Sequence, residues 1–296
     1  MHPTRHRSAL FMPASNARAL EKARNLDCDI VILDLEDAVA PDRKAEARAA
    51  ALAAVATGGF GTRGCVVRSN APATATGAED LAALADCGAD AVLLPKVDGV
   101  ADLVAARALL GPAIPLWAMI ETAKGIVALP VIAAAAADLG LAALVAGTND
   151  LALDLRARVD DHRTTLLPHL AAIVAAARAG GMVALDGVLN AIDDPDRLAR
   201  DCAQGRAWGF DGKTLIHPAQ IATANAAFGP DADEIGWATR VVATFADPAH
   251  ADLGAVRLDG AMVERLHLAE AERILALAGQ GRIAAQPAMT DNPASR

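Results

Sequence analysis

The residues of this chain best suited to chemistry sit just past short apolar runs. Asp34, Glu36 and Asp37 follow one run, Arg68 and Asn70 the next, and Lys96 and Glu121 two more. Thr148, Asn149 and Asp150 follow another, Asp186 ends a further one, and Asp211 and Lys213 lie in the last. Carboxylates brought together are costly if buried unpaired, and a hard cation removes that cost. With no Cys or His cluster beside them, the expected ion is Mg²⁺, Mn²⁺ or Ca²⁺ rather than Zn²⁺. Glu121 and Asp150 come from consecutive runs and are the expected ligand pair. Arg68 offers a fork of donors suited to a carboxylate or a developing oxyanion. That set suits α-keto acid or enolate chemistry.

Other polar residues read more plainly. Asp42 and Asp98 are expected as helix caps, and Asp34 and Asp37 as partners of a nearby Arg or of backbone amides. His217 precedes Pro218 and reads as structural, and none of the seven His has HExxH spacing. Gly212-Lys213-Thr214 imitates the end of a phosphate-binding loop, but Ala207 stands where that motif needs Gly, which argues against nucleotide hydrolysis.

The elements that must carry these residues alternate. Strands are predicted at 8–12, 30–35, 65–69, 91–96, 116–121, 143–147, 182–186 and 209–215, with amphipathic helical stretches between them. Eight strand–helix units predict parallel strands with right-handed crossovers, hence a (β/α)₈ TIM barrel; a doubly wound open sheet is the alternative. In a barrel the C-terminal strand ends face the active site, and the polar residues above fall there. The pattern weakens after Gln220. The expected division is a catalytic barrel at 1–225, a C-terminal helical extension at 226–280 that contacts a neighbouring subunit, and a disordered tail at 281–296.

Composition narrows the function classes. The chain has 296 residues, 54% hydrophobic and 21% charged, which excludes a wholly disordered chain. A net charge of −9, 3% aromatics and no Tyr argue against nucleic acid and anionic membranes as partners. The four Cys are dispersed with no CxxC, so neither a zinc site nor a disulfide framework is expected, and a reducing cytoplasm fits. The apolar stretch 126–153 is broken by Pro130, Asp138, Gly140, Gly147, Asn149 and Asp150, which reads as helix then strand rather than a membrane span.

Ordered motifs carry a resemblance. Arg7-Ser8-Ala9-Leu10-Phe11-Met12-Pro13 and Leu33-Asp34-Leu35-Glu36-Asp37-Ala38-Val39 are followed by Val67-Arg68-Ser69-Asn70, Leu94-Pro95-Lys96-Val97 and Met119-Ile120-Glu121-Thr122. Gly147-Thr148-Asn149-Asp150-Leu151, Gly209-Phe210-Asp211-Gly212-Lys213 with Ile216-His217-Pro218, and Asp259-Gly260-Ala261-Met262-Val263-Glu264 complete the series. Over about residues 7–278 the chain resembles the citrate lyase β-subunit-like proteins of the HpcH/HpaI aldolase superfamily. The resemblance implies a Mg²⁺-dependent TIM-barrel lyase that cleaves a 3-hydroxyacyl-CoA thioester of malyl-CoA or citramalyl-CoA type to an α-keto acid and acetyl-CoA, or runs the reverse condensation. It implies Glu121 and Asp150 as Mg²⁺ ligands and Arg68 as the substrate-binding, enolate-stabilising residue. Gly147, Thr148, Asn149 and Leu151 would bind substrate, the amides around Asp150 and Leu151 holding the keto-acid carboxylate. Glu36, Asp37 and Lys96 would support the metal from behind. A trimer or hexamer is implied, with the C-terminal segment reaching a neighbouring site. That segment's acid/base is usually Asp; Glu264 stands there instead, one methylene longer, and thioester hydrolysis is an alternative outcome. A citrate lyase β-subunit acting on a citryl-acyl carrier protein and a non-catalytic barrel are the further alternatives.

Overall fold

The computed structural model describes residues 5–250 and 252–279. The chain divides into a unit ending at Phe228 and a second beginning at Gly229. The expected tail at 281–296 lies outside the described residues.

The first unit is a closed barrel of eight parallel strands in sequential order. The strands are β1 (Ser8–Pro13), β2 (Ile30–Asp34), β3 (Gly64–Arg68), β4 (Ala91–Leu94), β5 (Leu116–Ile120), β6 (Leu141–Ala146), β7 (Val183–Asp186) and β8 (Gly212–Leu215). Their burial explains why the sequence shows near-continuous apolar runs: one face packs inside the barrel and the other against helices. Ala9, Ile30, Ile32, Val66, Ala91, Leu93, Trp117, Met119, Ala143, Val145 and Leu185 form one apolar cluster. The intervening Leu10, Val31, Leu33, Val67, Val92, Leu94 and Ala118 join the surrounding helices in another. An open doubly wound sheet is excluded by the pairing of β1 with β8.

The period of two along each strand sorts the polar residues. Asp34 continues the row of Ile30 and Ile32, Arg68 continues that of Val66, and Glu121 continues that of Trp117 and Met119. Asp34 and Arg68 are register partners across β2 and β3. Asp186 is out of phase with Leu185, so it turns away from the barrel interior.

Asp211 is a correction. It lies before β8 rather than within it, and its carboxylate pairs with Arg178 at 2.9 Å and accepts the Ala184 N–H at 2.8 Å. It closes the N-terminal side of the sheet and takes no part in the rim. Asp98 is also no cap: Gly99 takes that position, and Asp98 accepts the Thr122 hydroxyl at 2.6 Å. The barrel unit runs to Phe228 rather than 225 because the helix Ile221–Phe228 belongs to it. There Asn225 accepts from the Ser8 hydroxyl at 2.7 Å and donates to Asp27 O at 2.6 Å.

The second unit is not purely helical. Helix Ala232–Ala246 and helix Arg265–Leu277 pack with an antiparallel hairpin of β9 (Ala255–Leu258) and β10 (Ala261–Glu264). Asp259 and Gly260, both with positive φ (49° and 84°), make the tight turn that suits a right-twisted hairpin. The core of this unit is Ala238, Val241, Phe245, Val256, Val263, Ala271, Ile274 and Leu275. Among the described residues no helix is long and apolar enough to cross a membrane.

Candidate active site

A cavity of about 360 Å³ opens at the C-terminal ends of the strands. Its lining includes Phe11, Asp34, Asp37, Arg68, Met119, Glu121, Gly147, Thr148, Asn149, Asp150 and Asn190. Its size falls in the range of small-molecule sites, roughly 300–1,000 Å³.

Arg68 forms one wall. Its Nε donates to Asp34 Oδ1 and its Nη2 to Asp34 Oδ2, both at 2.7 Å. Asp34 also accepts the N–H groups of Glu36 (2.9 Å) and Ala38 (3.1 Å), which fixes the carboxylate that fixes the arginine. Arg68 Nη1 lies 2.9 Å from Glu36 Oε2 and 3.6 Å from Asp37 Oδ2, and the guanidinium carbon stands 4.7 Å from the Phe11 ring centroid. Burial would favour the neutral arginine, but the bond to Asp34 and the nearby carboxylates outweigh it and raise the pKa. The fork is thus charged, immobile and desolvated, the condition under which a cation best stabilises a developing negative charge.

The acidic wall is organised by Lys96. Glu121 is 3% exposed and accepts the Lys96 backbone N–H at 2.7 Å. The Lys96 ammonium donates to Asp150 and lies 3.7 Å from Glu36 Oε1 and 3.9 Å from Glu121 Oε1. Burial pushes the Glu121 carboxyl up, against the pull of Lys96. Burial pushes Glu36 up to about 7, opposed by Arg68 and reinforced by Asp37 and Glu121. Glu36 Oε2 is an ion-pair neighbour of Arg68 yet takes no hydrogen bond.

Glu121 and Asp150 therefore share one cation, the ammonium, and their hard anionic oxygens equally suit a small divalent ion. Among the described residues no three His, Cys, Asp or Glu side chains gather closely enough to hold a metal by themselves. Mg²⁺ needs only one or two protein carboxylates, with water and substrate oxygens completing its shell, so the pair fits it.

The floor of the cavity depends on Gly147. Its N–H donates to Ile120 O at 3.1 Å, and a Cβ there would stand 2.4 Å from Glu121 Cβ. Next comes helix Thr148–Asp154, in whose first turn the amides of Thr148, Asn149 and Asp150 precede the first intrahelical bond. Leu151 is a correction. Its N–H is taken by Gly147 O at 3.0 Å and its side chain is fully buried, so neither reaches a ligand. The side chain of Asn149 exchanges hydrogen bonds with Asn190 at 3.2 and 3.0 Å.

Other expected rim residues do not converge on the cavity. Asn70 is tied to Asp80 and to Leu35 O. Asp186 and Lys213, both fully buried, pair at 3.0 Å, and Arg163 Nη1 reaches Asp186 at 2.8 Å. Burial favours the protonated Asp186, but Lys213 and Arg163 outweigh it and lower the pKa. Glu264 belongs to the second unit, where it ends β10 and its N–H donates to His267 Nδ1 at 2.9 Å. The sequence reading missed Phe11, Met119 and Asn190 as cavity residues and Arg163 as the third member of the buried ionic group. Phe11 and Met119 carry the inward phase of their strands and were legible from it.

A family model matches residues 7–218. The chain belongs to the HpcH/HpaI aldolase/citrate lyase family. It is 46% identical over 277 residues to a (3S)-malyl-CoA thioesterase of Cereibacter sphaeroides, covering 94% of this chain and 95% of the relative. It is 29% identical to the mitochondrial citramalyl-CoA lyase of Rattus norvegicus, covering 92% of this chain and 86% of that one. Among solved structures it is similar to protein CitE of Mycobacterium tuberculosis in complex with magnesium, acetoacetate and coenzyme A. That match has a TM-score of 0.74 at 32% identity and covers 94% of this chain and 100% of the other. Membership agrees with the barrel and with the ordered motifs that carried the resemblance.

Proposed function

We propose that this protein is a Mg²⁺-dependent enzyme acting on a malyl-CoA-type thioester, which it hydrolyses to the free hydroxy acid and CoA. The observation that carries the reading is the cavity with a desolvated, carboxylate-locked guanidinium on one wall and a Glu121/Asp150 pair on the other. Such a pair of walls serves a substrate with a thioester carbonyl at one end and hydroxyl and carboxylate oxygens at the other. The choice of hydrolysis over carbon–carbon cleavage is supported by the likeness to the Cereibacter thioesterase.

Glu121 and Asp150 would hold the metal, which supplies Lewis-acid stabilisation of the substrate's oxygens. Arg68 faces the thioester carbonyl, where a water adds and negative charge develops on oxygen; Nη1 is its candidate donor, because Nε and one hydrogen of Nη2 are committed to Asp34. The carbon–sulfur bond then breaks, and the thiolate takes the proton that the water gave up. Glu264 is the proposed carrier of that proton, delivered from the second unit of a neighbouring chain in a trimer or hexamer. The amides of Thr148 and Asn149 are the proposed contacts for the acid's carboxylate.

The second reading is carbon–carbon cleavage to glyoxylate and acetyl-CoA. It is favoured by the likeness to the citramalyl-CoA lyase and uses the same walls, Arg68 stabilising a thioester enolate instead of a tetrahedral oxyanion. Product analysis by mass spectrometry decides between them. Malate and CoA support hydrolysis, glyoxylate and acetyl-CoA support the lyase, and no turnover of free CoA esters counts against both and favours a carrier-protein substrate. Mixing Glu121→Gln and Glu264→Gln variants tests the shared site. Recovered activity in hybrid oligomers supports donation between chains, and none, with hybrids confirmed by native mass spectrometry, contradicts it.

A further inference from the structure

We propose that Lys96 is a built-in counter-cation of the acidic wall, which a divalent ion must displace from Asp150 in order to bind. The inference rests on the metal reading above and concerns how the chain's own residues respond to that ion.

Lys96 touches both proposed ligands in different ways. Its backbone N–H is donated to Glu121 Oε1 at 2.7 Å, while its ammonium donates to Asp150. The ammonium also lies 3.7 Å from Glu36 Oε1 and 3.9 Å from Glu121 Oε1. Three carboxylates, two just past β2 and β5 and one in the first turn of the helix after β6, therefore surround one positive charge. The backbone bond fixes Glu121 whatever the ammonium does, so the ligand stays in place if the side chain leaves.

Two features make the side chain the movable part. The Lys96 side chain is 42% exposed and that of Asp150 is 38% exposed, whereas Glu121 is 4% exposed. An ion pair this open to solvent is held weakly, and a divalent ion with twice the charge outcompetes it for Asp150. Arg68 offers the contrast: gripped by both Asp34 oxygens and 8% exposed, it cannot be exchanged in this way. Lys96 also adopts φ 52°, a left-handed backbone that is uncommon for a residue with a long side chain. A Gly would fit that backbone with less strain.

The arrangement has a consequence for the metal-free protein. The carboxylates keep their geometry because a tethered cation balances them, and metal affinity is lowered by the need to displace it. A simple rim salt bridge would have a different signature, since its removal would leave metal affinity unchanged or weaken it by loosening Asp150.

The test measures Mn²⁺ affinity of chelator-treated, substrate-free protein by electron paramagnetic resonance, alongside Lys96→Met, which removes the charge, and Lys96→Gly, which also relaxes the backbone. Both variants are expected to bind Mn²⁺ more tightly, on the order of tenfold. Equal or weaker binding by variants whose circular dichroism matches the wild type overturns the proposal. A second readout needs no variant: reductive methylation of Lys96, followed by mass spectrometry, should accelerate when Mg²⁺ is added to the wild-type protein. An unchanged labelling rate overturns the proposal. If the wild type binds no divalent ion, the metal reading itself fails and this inference falls with it. If it binds Mn²⁺ but Lys96 has no effect, only the inference fails.

Discussion

Replacing Arg68 with Lys keeps the charge and removes the fork, and the structure sets the size of the effect. The guanidinium makes two bonds of 2.7 Å to Asp34 and an ion pair of 2.9 Å to Glu36, among side chains that are 2% and 9% exposed. An ammonium on a shorter, differently shaped stem can bond one oxygen of Asp34 and leaves the other with its backbone N–H donor alone. Charge-assisted bonds of this kind contribute about 1.5–3 kcal/mol each, so the variant should lose about 2–4 kcal/mol of folding stability. The same change withdraws the planar donor proposed above for the reacting carbonyl. Loss of one such donor lowers turnover about a hundredfold to a thousandfold; with charge retained, the fall in kcat should lie between about tenfold and a thousandfold. Urea unfolding reads the first quantity, and release of CoA thiol from malyl-CoA under saturating substrate reads the second. A Lys variant that turns over at the wild-type rate would refute the placement of Arg68 at the reacting centre. A variant with unchanged stability would refute the account of the Asp34 lock.

Gly147→Ala should damage the acidic wall without touching a charge, because the new methyl would stand 2.4 Å from Glu121 Cβ; weakened Mn²⁺ binding with the far-ultraviolet dichroism retained is the expected result. Asp186→Asn should cost about 3–5 kcal/mol in urea unfolding, since it leaves the fully buried Lys213 and nearly buried Arg163 without their shared counter-charge. Glu36 is raised from its ordinary 4.5 to about 7, so the native state holds its proton more tightly than the unfolded chain. Its stabilising contribution is complete below pH 4.5 and is lost as the pH rises through about 7. Glu36→Gln should therefore gain stability relative to the wild type across that window, and a difference that does not vary with pH would contradict the burial argument.

The barrel was legible because each strand is buried on both faces and the helices between strands are amphipathic, so apolar runs mark the strands directly. The site was legible for the same reason: a polar residue that continues the inward phase of a strand, as Asp34, Arg68 and Glu121 do, has nowhere to point but the mouth. What escaped the sequence reading was long-range or too short to show a pattern. Arg163 sits in a loop, and its pairing with Asp186 and Gln204 joins segments separated by 23 and 41 residues, which no local pattern announces. The β9–β10 hairpin buries only Val256 and Val263, one residue per strand, so alternation had nothing to register. Its Asp259-Gly260 turn was the available signal. Asp211 was misplaced because Gly209-Phe210 extends the apolar run of β8 backwards, although Gly209 ends the preceding helix in a left-handed conformation.

The central claim is that Arg68, Glu121 and Asp150 form one metal-dependent thioester site, and the most direct test is a metal add-back. Protein stripped with EDTA should not turn over malyl-CoA, and Mg²⁺ should restore the wild type but neither Glu121→Gln nor Asp150→Asn, both of which should remain folded. Full activity of the stripped wild type, or restoration of either variant to the wild-type rate, would contradict it.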